Sequence, residues 1–305
     1  MFGSHLSIAG DMCNALRDAE ALGLDTVQVF TKNQQQWKAK PLPDSQIRDW
    51  HAEIKRLNWT GPARGTSHAS YLINLASPDD VLWKKSIDLM RDEIERCELL
   101  SIPYLVHHPG AYTTSTLEEG IKRIAAAYAI IFKDTKGYST ISCLEGTAGA
   151  GTNIGGDFAH LALLRKLICE ATGQPARIGF CLDTCHMHVA GYDMSSRAAA
   201  EATLAQFDSL CGLKNLHVMH INDSKGKLGS HLDRHDHIGA GELTPKSLKD
   251  SGFAGVLNHP AIRSVPKIME TPKGDDPKGT PFDTLNLRRL KGLIDKPAAN
   301  PTRGR

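Results

Sequence analysis

Eight short apolar runs, separated by stretches of helical period, constrain this chain more than any other feature. The runs are Phe2–Leu6, Thr26–Phe30, Pro62–His68, Pro103–His108, Ser139–Glu145, Arg177–Asp183, Asn215–Ile221 and Val265–Glu270. Most are rich in Val, Ile, Leu or aromatic residues and too short for helices, which predicts strands. Between them, apolar residues recur at helical spacing: Ile87, Met90, Ile94 and Cys97; then Ile121, Ile124, Ala125, Tyr128, Ile131 and Phe132; then Phe158, Leu161, Leu164, Leu167 and Ile168. Parallel strands need crossover connections, so the alternation predicts an α/β fold of parallel units. Eight units within 305 residues match a (β/α)₈ TIM barrel. The expected organisation is a single domain over 1–295 and a flexible tail over 296–305, whose KPAANPTRGR is Pro-, Gly- and basic-rich. An open doubly wound sheet is the structural alternative, weakened because neither G-x-G-x-x-G nor a Walker A loop is present.

Polar residues recur at the C-terminal ends of the runs. His68 ends the third, His108 the fourth, Glu145 the fifth, Asp183 the sixth, His220 nearly ends the seventh, and Glu270 ends the eighth. Their separations are 40, 37, 38, 37 and 50 residues, one β/α unit each, the last lengthened by the polar stretch Asn222–Pro245. A long polar loop in a compact domain is usually functional. In a barrel these side chains converge on one face, where barrel active sites lie. His186 follows Asp183 by three residues, and Asp233 and His235 sit two apart within the loop.

Nine imidazoles and carboxylates without a thiolate point to catalytic metal chemistry, because structural zinc prefers closed Cys-rich sites. A lone strand-end carboxylate is more simply a helix cap, and a lone histidine a hydrogen-bonded core residue. Six in register favour a shared site, since independent capping does not select histidine. Cys181 and Cys185 read as packing residues. His107 points away from His108 on a strand, so at most one of the pair faces the site. His188, His231, His237 and His259 read as surface or loop residues, with His231 and His237 close enough to support the ligands.

Composition narrows the partners. Lys plus Arg is 36 against 34 for Asp plus Glu, a net charge of +2, so nucleic-acid binding requires a local basic patch. No apolar run approaches the roughly 18–20 residues of a membrane helix. The start MFGSHLSIAG has neither a basic nor an apolar signal region. The seven cysteines are odd in number and lack zinc-finger spacing, which fits free thiols in a reducing cytoplasm.

Seven blocks stand out along the chain: FTKNQQQW at 30–37, SHASYLINLAS at 67–77, VHHPGAY at 106–112, CLEGTAGAGTNIG at 143–155, CLDTCHMHVAGYD at 181–193, MHINDSKGKLGSHLDRHDHIGAGEL at 219–243 and KIMETP at 267–272. Together they resemble the endonuclease IV family, the metal-dependent apurinic/apyrimidinic endonucleases of base-excision repair. The likeness runs in order from Phe2 to about Glu270.

The resemblance implies a (β/α)₈ barrel with three zinc ions. His68, His108 and Glu145 would hold the first. Glu145 would bridge to a second completed by Asp183, His220 and Glu270, and His186, Asp233 and His235 would hold the third. Manganese or iron suits the same donors. The resemblance also implies hydrolysis 5′ to an abasic site in duplex DNA, leaving a 3′-hydroxyl and a 5′-deoxyribose phosphate, with trimming of blocked 3′ ends. Glu145 is the implied proton acceptor. DNA contacts are expected from Lys32, Asn33, Gln34, Gln35 and Gln36, from Ser70 and Tyr71, and from Lys225, Lys227 and Arg234, with the abasic nucleotide flipped out. The expected partner is duplex DNA, bound by a monomer in the cytoplasm, at the nucleoid in a bacterium. Gln35 stands where the family often has Arg, Ala69 where Asp is common, and Asp236 where a second His is common. Metal-dependent sugar isomerases of the xylose-isomerase type are the alternative enzyme class, and a DNA-binding module without catalysis is a third reading.

Overall fold

The computed structural model describes residues 1–295; the expected tail, 296–305, lies outside the described residues. All eight apolar runs supply barrel strands: β1 (Phe2–Ser4), β2 (Gln28–Val29), β3 (Thr66–His68), β4 (Tyr104–His107), β5 (Ile141–Glu145), β6 (Ile178–Asp183), β7 (Leu216–His220) and, after a two-stranded ladder, β10 (Lys267–Met269). They are parallel, in the order β1-β10-β7-β6-β5-β4-β3-β2. A single parallel bridge from His5 to Gln28 joins the two ends of the sheet. The strands are shorter than the runs. The start of the third run lies in a 3₁₀ turn, Gly61–Arg64, because Pro62 fixes φ and lacks an N–H for the ladder.

Helices wrap the barrel: α1 (Asn14–Ala21), α2 (Asp44–Arg56), α3 (Asp80–Leu99), α4 (Leu117–Asp134), α5 (Phe158–Thr172), α6 (Thr184–Ala190), α7 (Arg197–Cys211), α8 (Gly252–Asn258) and α9 (Phe282–Lys291). The three apolar stripes read from the sequence are the buried faces of α3, α4 and α5. Side-chain caps start several helices: Asp79 accepts from the amides of Val81 and Leu82, Thr116 from Glu119, Asp157 from Ala159 and Ser196 from Ala199. Such a cap contributes about 1 kcal/mol. The polar stretch after β7 is not irregular throughout. It contains an antiparallel ladder of β8 (Asp223–Ser224) and β9 (His235–Asp236).

Strand period places the site. Val106, Cys143, Cys181, Val218 and Ile268 fill the barrel interior as a separate apolar cluster. The next inward position on each strand lies two residues on. Those positions are His108, Glu145, Asp183, His220 and Glu270. A polar ring therefore stands on an apolar plug. The pairing of β6 with β7 slips by one residue between Phe180 and Cys181: Phe180 pairs with Leu216, but Cys181 pairs with Val218. This bulge at His217 brings His220 level with Asp183. Gly179 accommodates it, since a Cβ there would collide with the His217 ring. All seven cysteines are free and six are buried.

Candidate metal centre

Glu145, at the end of β5 and 1% exposed, is the hub. Its Oε2 lies 3.1 Å from His68 Nε2 and 3.4 Å from His108 Nε2. Its Oε1 lies 2.9 Å from His220 Nδ1 and 3.5 Å from His186 Nδ1. His220 Nδ1 also faces Glu270 Oε2 at 3.1 Å and Asp183 Oδ2 at 3.8 Å, so three carboxylates surround one ring nitrogen. Above them Asp233 reaches His186 Nε2 at 3.2 Å and His235 Nε2 at 3.5 Å.

These residues form overlapping clusters in which the candidate ligand atoms lie within 4.8 Å of one another. His68, His108 and Glu145 make one; Glu145, Asp183, His220 and Glu270 make the second; Asp183, His186 and His235 make the third, with Asp233 against its two imidazoles. All nine residues picked from the sequence thus meet at one end of the barrel. Cys181 and Cys185 also touch the clusters geometrically. Burial pushes the Cys181 thiol up to about 12 and Cys185 well up, so both stay protonated packing groups.

The electrostatics call for cations. Burial alone would raise the pKa of Glu145 and of Glu270, yet His220 and His108 hold Glu145, and His220 and His5 hold Glu270, well below the usual carboxylate range. Burial alone would lower the imidazoles. Glu145 nevertheless raises His68, the surrounding acids raise His220 well up, and Asp183, Asp233 and Glu145 bring His186 up to about 10. Buried anions at this density need positive charge beside them. His235 Nε2 is buried with no hydrogen-bond partner although two carboxylates lie within 3.6 Å. An orphaned buried nitrogen among carboxylates fits a metal ligand.

Supporting residues fix the ligands. Asn222 donates from Nδ2 to Asp183 Oδ2 at 2.6 Å and accepts the Glu270 amide at 2.7 Å. Gln28 lies between His220 and Glu270, and His5 Nδ1 stands 3.2 Å from Glu270 Oε1. His5, Gln28 and Asn222 were not among the residues picked from the sequence. His5 and Gln28 lie inside apolar runs whose last residues are Leu6 and Phe30, so the strand-end signal is absent there. His231 bonds Ala148 O through Nδ1 at 2.7 Å, tying the loop of Asp233 to the loop after β5. His107 faces the helices and meets Tyr128, which leaves His108 as the member of the pair at the site. His188 corrects the surface reading: it is buried within α6 and accepts the Met194 amide.

The expected DNA-contact residues divide by exposure. Asn33, Gln35, Gln36, Tyr71, Lys225, Lys227 and Arg234 are exposed, and Gln34 is half-buried. Lys32 and Ser70 are buried. The Lys32 ammonium donates to Gln36 O at 2.7 Å beside Glu93, and Ser70 Oγ donates to Gln34 O at 2.5 Å. Both shape the loop at 33–36, and Lys32 also lines the groove that runs past it. Tyr71 is 61% exposed, with its ring 5.3 Å from that of His68 and 6.0 Å from that of His108. A cavity of about 480 Å³ opens over the clusters, lined by Tyr71, Arg234 and Pro272 besides the ligands. A groove of about 940 Å³ continues past Phe30, Asn33 and Gln34.

Residues 16–289 match the family model of the xylose isomerase-like TIM barrel. A probable endonuclease 4 of Chloroflexus aggregans is 42% identical over 98% of this chain and 99% of its own length. One from Citrifermentans bemidjiense is 39% identical over 97% and 99%. The crystal structure of endonuclease IV from Thermus thermophilus superposes with a TM-score of 0.80 at 32% identity, covering 96% of this chain and 98% of that one. A D-tagatose 3-epimerase-like protein, at 16% identity and a TM-score of 0.67, shares the fold. Near-full-length identity of this order, on a barrel with this ring of histidines and carboxylates, places the chain in the endonuclease IV family.

Proposed function

We propose that this chain is a DNA-repair endonuclease that hydrolyses the phosphodiester 5′ to abasic sites in duplex DNA, leaving a 3′-hydroxyl and a 5′-deoxyribose phosphate, with trimming of blocked 3′ ends at the same site. The observation that carries the reading is the triple cluster sharing Glu145 and Asp183. His68, His108 and Glu145 would hold one zinc ion, Glu145, Asp183, His220 and Glu270 a second, and His186, Asp233 and His235 a third. Divalent metal ions, when bound, supply electrostatic stabilisation of an anionic phosphodiester and its leaving oxygen.

The chain's own groups do the rest. Glu145 offers one oxygen to each of the first two clusters and is the acceptor for the attacking water's proton. Arg234 and Tyr71 border the cavity, the first with charge for a phosphate and the second with a face for a base or sugar. Asn33, Gln34, Gln35 and Gln36 present amides, and Lys225 and Lys227 present charge, on the same rim. All nine ligands come from one chain, which supports a monomer. Among the described residues no helix is long and apolar enough to cross a membrane. Seven free thiols support a reducing compartment, and we place the activity in the cytoplasm.

Sugar isomerisation on the same barrel needs no more than two metals, and His186, Asp233 and His235 are surplus to it. Purified protein should nick an abasic duplex, leave an aldose panel unchanged and carry about three metals per chain. Isomerase activity without nicking would overturn the assignment.

A further inference from the structure

His68, His186 and His235 have one ring arrangement in common. Each turns Nδ1 to a backbone carbonyl: Ala69 O at 2.8 Å, Gly146 O at 3.0 Å and Glu270 O at 3.3 Å. A neutral imidazole that donates from Nδ1 offers its lone pair at Nε2. His220 is reversed. Its Nδ1 faces the three carboxylates, and its Nε2 points to Gln28 on β2, at 2.9 Å from Oε1.

Gln28 is fully buried, and its amide can be oriented one way only. Its Nε2 sits 2.6 Å from Glu270 Oε1. An ionised carboxylate only accepts, so the NH₂ must face Glu270 and the carbonyl must face His220. That carbonyl only accepts in turn, which requires the His220 proton on Nε2 and leaves Nδ1 as the ligand atom. We infer that Gln28 is a positioning residue: its carboxamide selects Nδ1 of His220 as the metal-binding atom and holds Glu270 beside it. A partner of this kind fixes ring tautomer and orientation, and removing it commonly weakens metal binding about ten- to hundredfold. The inference rests on the proposed metal reading of the second cluster.

The test uses the full-length chain with zinc alone as the probe. Zinc is titrated against a chromophoric chelator for the wild type and for Gln28→Met, which keeps the side-chain length without donor or acceptor. The expected result is one class of zinc sites weakened about ten- to hundredfold, with the others unchanged. A wild type that takes up no zinc overturns the metal reading itself. A wild type that binds zinc, matched by Gln28→Met at every site, overturns the role of Gln28. If the variant does not fold, ¹⁵N-histidine labelling of zinc-loaded wild type still decides. One ligating imidazole should show zinc at Nδ1 and a proton on Nε2, against the opposite pattern for its neighbours; a spectrum without that one ring overturns the inference.

Discussion

Asp183 accepts the backbone N–H of His186 through Oδ1 at 3.1 Å, so a carboxylate of the second cluster caps the helix that carries a ligand of the third. Its other oxygen, Oδ2, faces His220 Nδ1 at 3.8 Å and His235 Nε2 at 3.6 Å. One residue thus joins local chain geometry to two clusters, and the cap and ligand readings of Asp183 hold together.

Removing Asp183 and removing Asp233 should therefore differ. Asp233→Ala deletes a half-exposed ligand and should lower bound metal by about one per chain, with little change in melting temperature. Asp183→Ala should lose more metal and, from the missing cap, about 0.5–2 kcal/mol of stability as well. Elemental analysis beside thermal melts separates them. Equal metal contents in the two variants would count against the shared role of Asp183.

Glu145→Gln keeps the shape of the side chain but not its charge. Cleavage of an abasic oligonucleotide should fall on the order of 10²–10⁴-fold, the scale of a lost proton acceptor. The fold should persist, because the apolar plug below Glu145 is untouched. Near-wild-type cleavage by a folded Glu145→Gln protein would remove Glu145 from the mechanism.

His107 makes acid stability testable. It is buried, donates from Nδ1 to His108 O at 2.9 Å and accepts the Tyr128 hydroxyl at Nε2 at 2.6 Å, and burial first of all pushes it down to about 4. In the unfolded chain it takes a proton near pH 6.5, in the folded chain only near pH 4. Its contribution is complete above about 6.5 and is lost as pH falls towards 4, to the extent of about 3 kcal/mol. In urea titrations the stability gap between wild type and His107→Gln should narrow from pH 7 to 4.5. A constant gap would show that His107 is not held neutral.

Gln35 sits exposed on the loop that Lys32 braces from beneath, with its backbone N–H donating to Asn33 Oδ1 at 2.9 Å. With few cations at the mouth, the salt slope of binding to abasic duplex should be shallow, on the order of −3 to −5. Gln35→Arg should tighten binding and steepen the slope by up to about one. Metal content should not change, since the loop carries no ligand. Fluorescence anisotropy against salt reads both effects, and unchanged affinities on abasic and intact duplex would mean that this loop does not engage DNA.

The ring of ligands was legible because strand period and unit length repeat: every inward strand-end residue from β4 onward lies two positions past an apolar plug residue. His186, Asp233 and His235 were legible by type and proximity, not by register. The burial of Lys32 was not legible, because a lysine in a polar loop reads as exposed, whereas Glu93, far away in sequence, draws it inward. Gln28 and His5 were missed because glutamine is no metal ligand by type and neither residue ends its run. Their meaning appears only when β2, β7 and β10 are brought together. Likewise, no local pattern around His217 announces a bulge, since the extra residue is defined by the partner strand.

That bulge gives β7 something like a reading frame. His217 sits at the bottom of the strand, away from every ligand, yet whether it is paired or passed over decides which side chain arrives at the mouth. If β7 ran on in plain register from Leu216, His217 would pair with Cys181, Met219 would come level with Asp183 and the His220 imidazole would turn towards the helices, with no ligand mutated. In this strand, a slip in pairing below the ligand is part of the site.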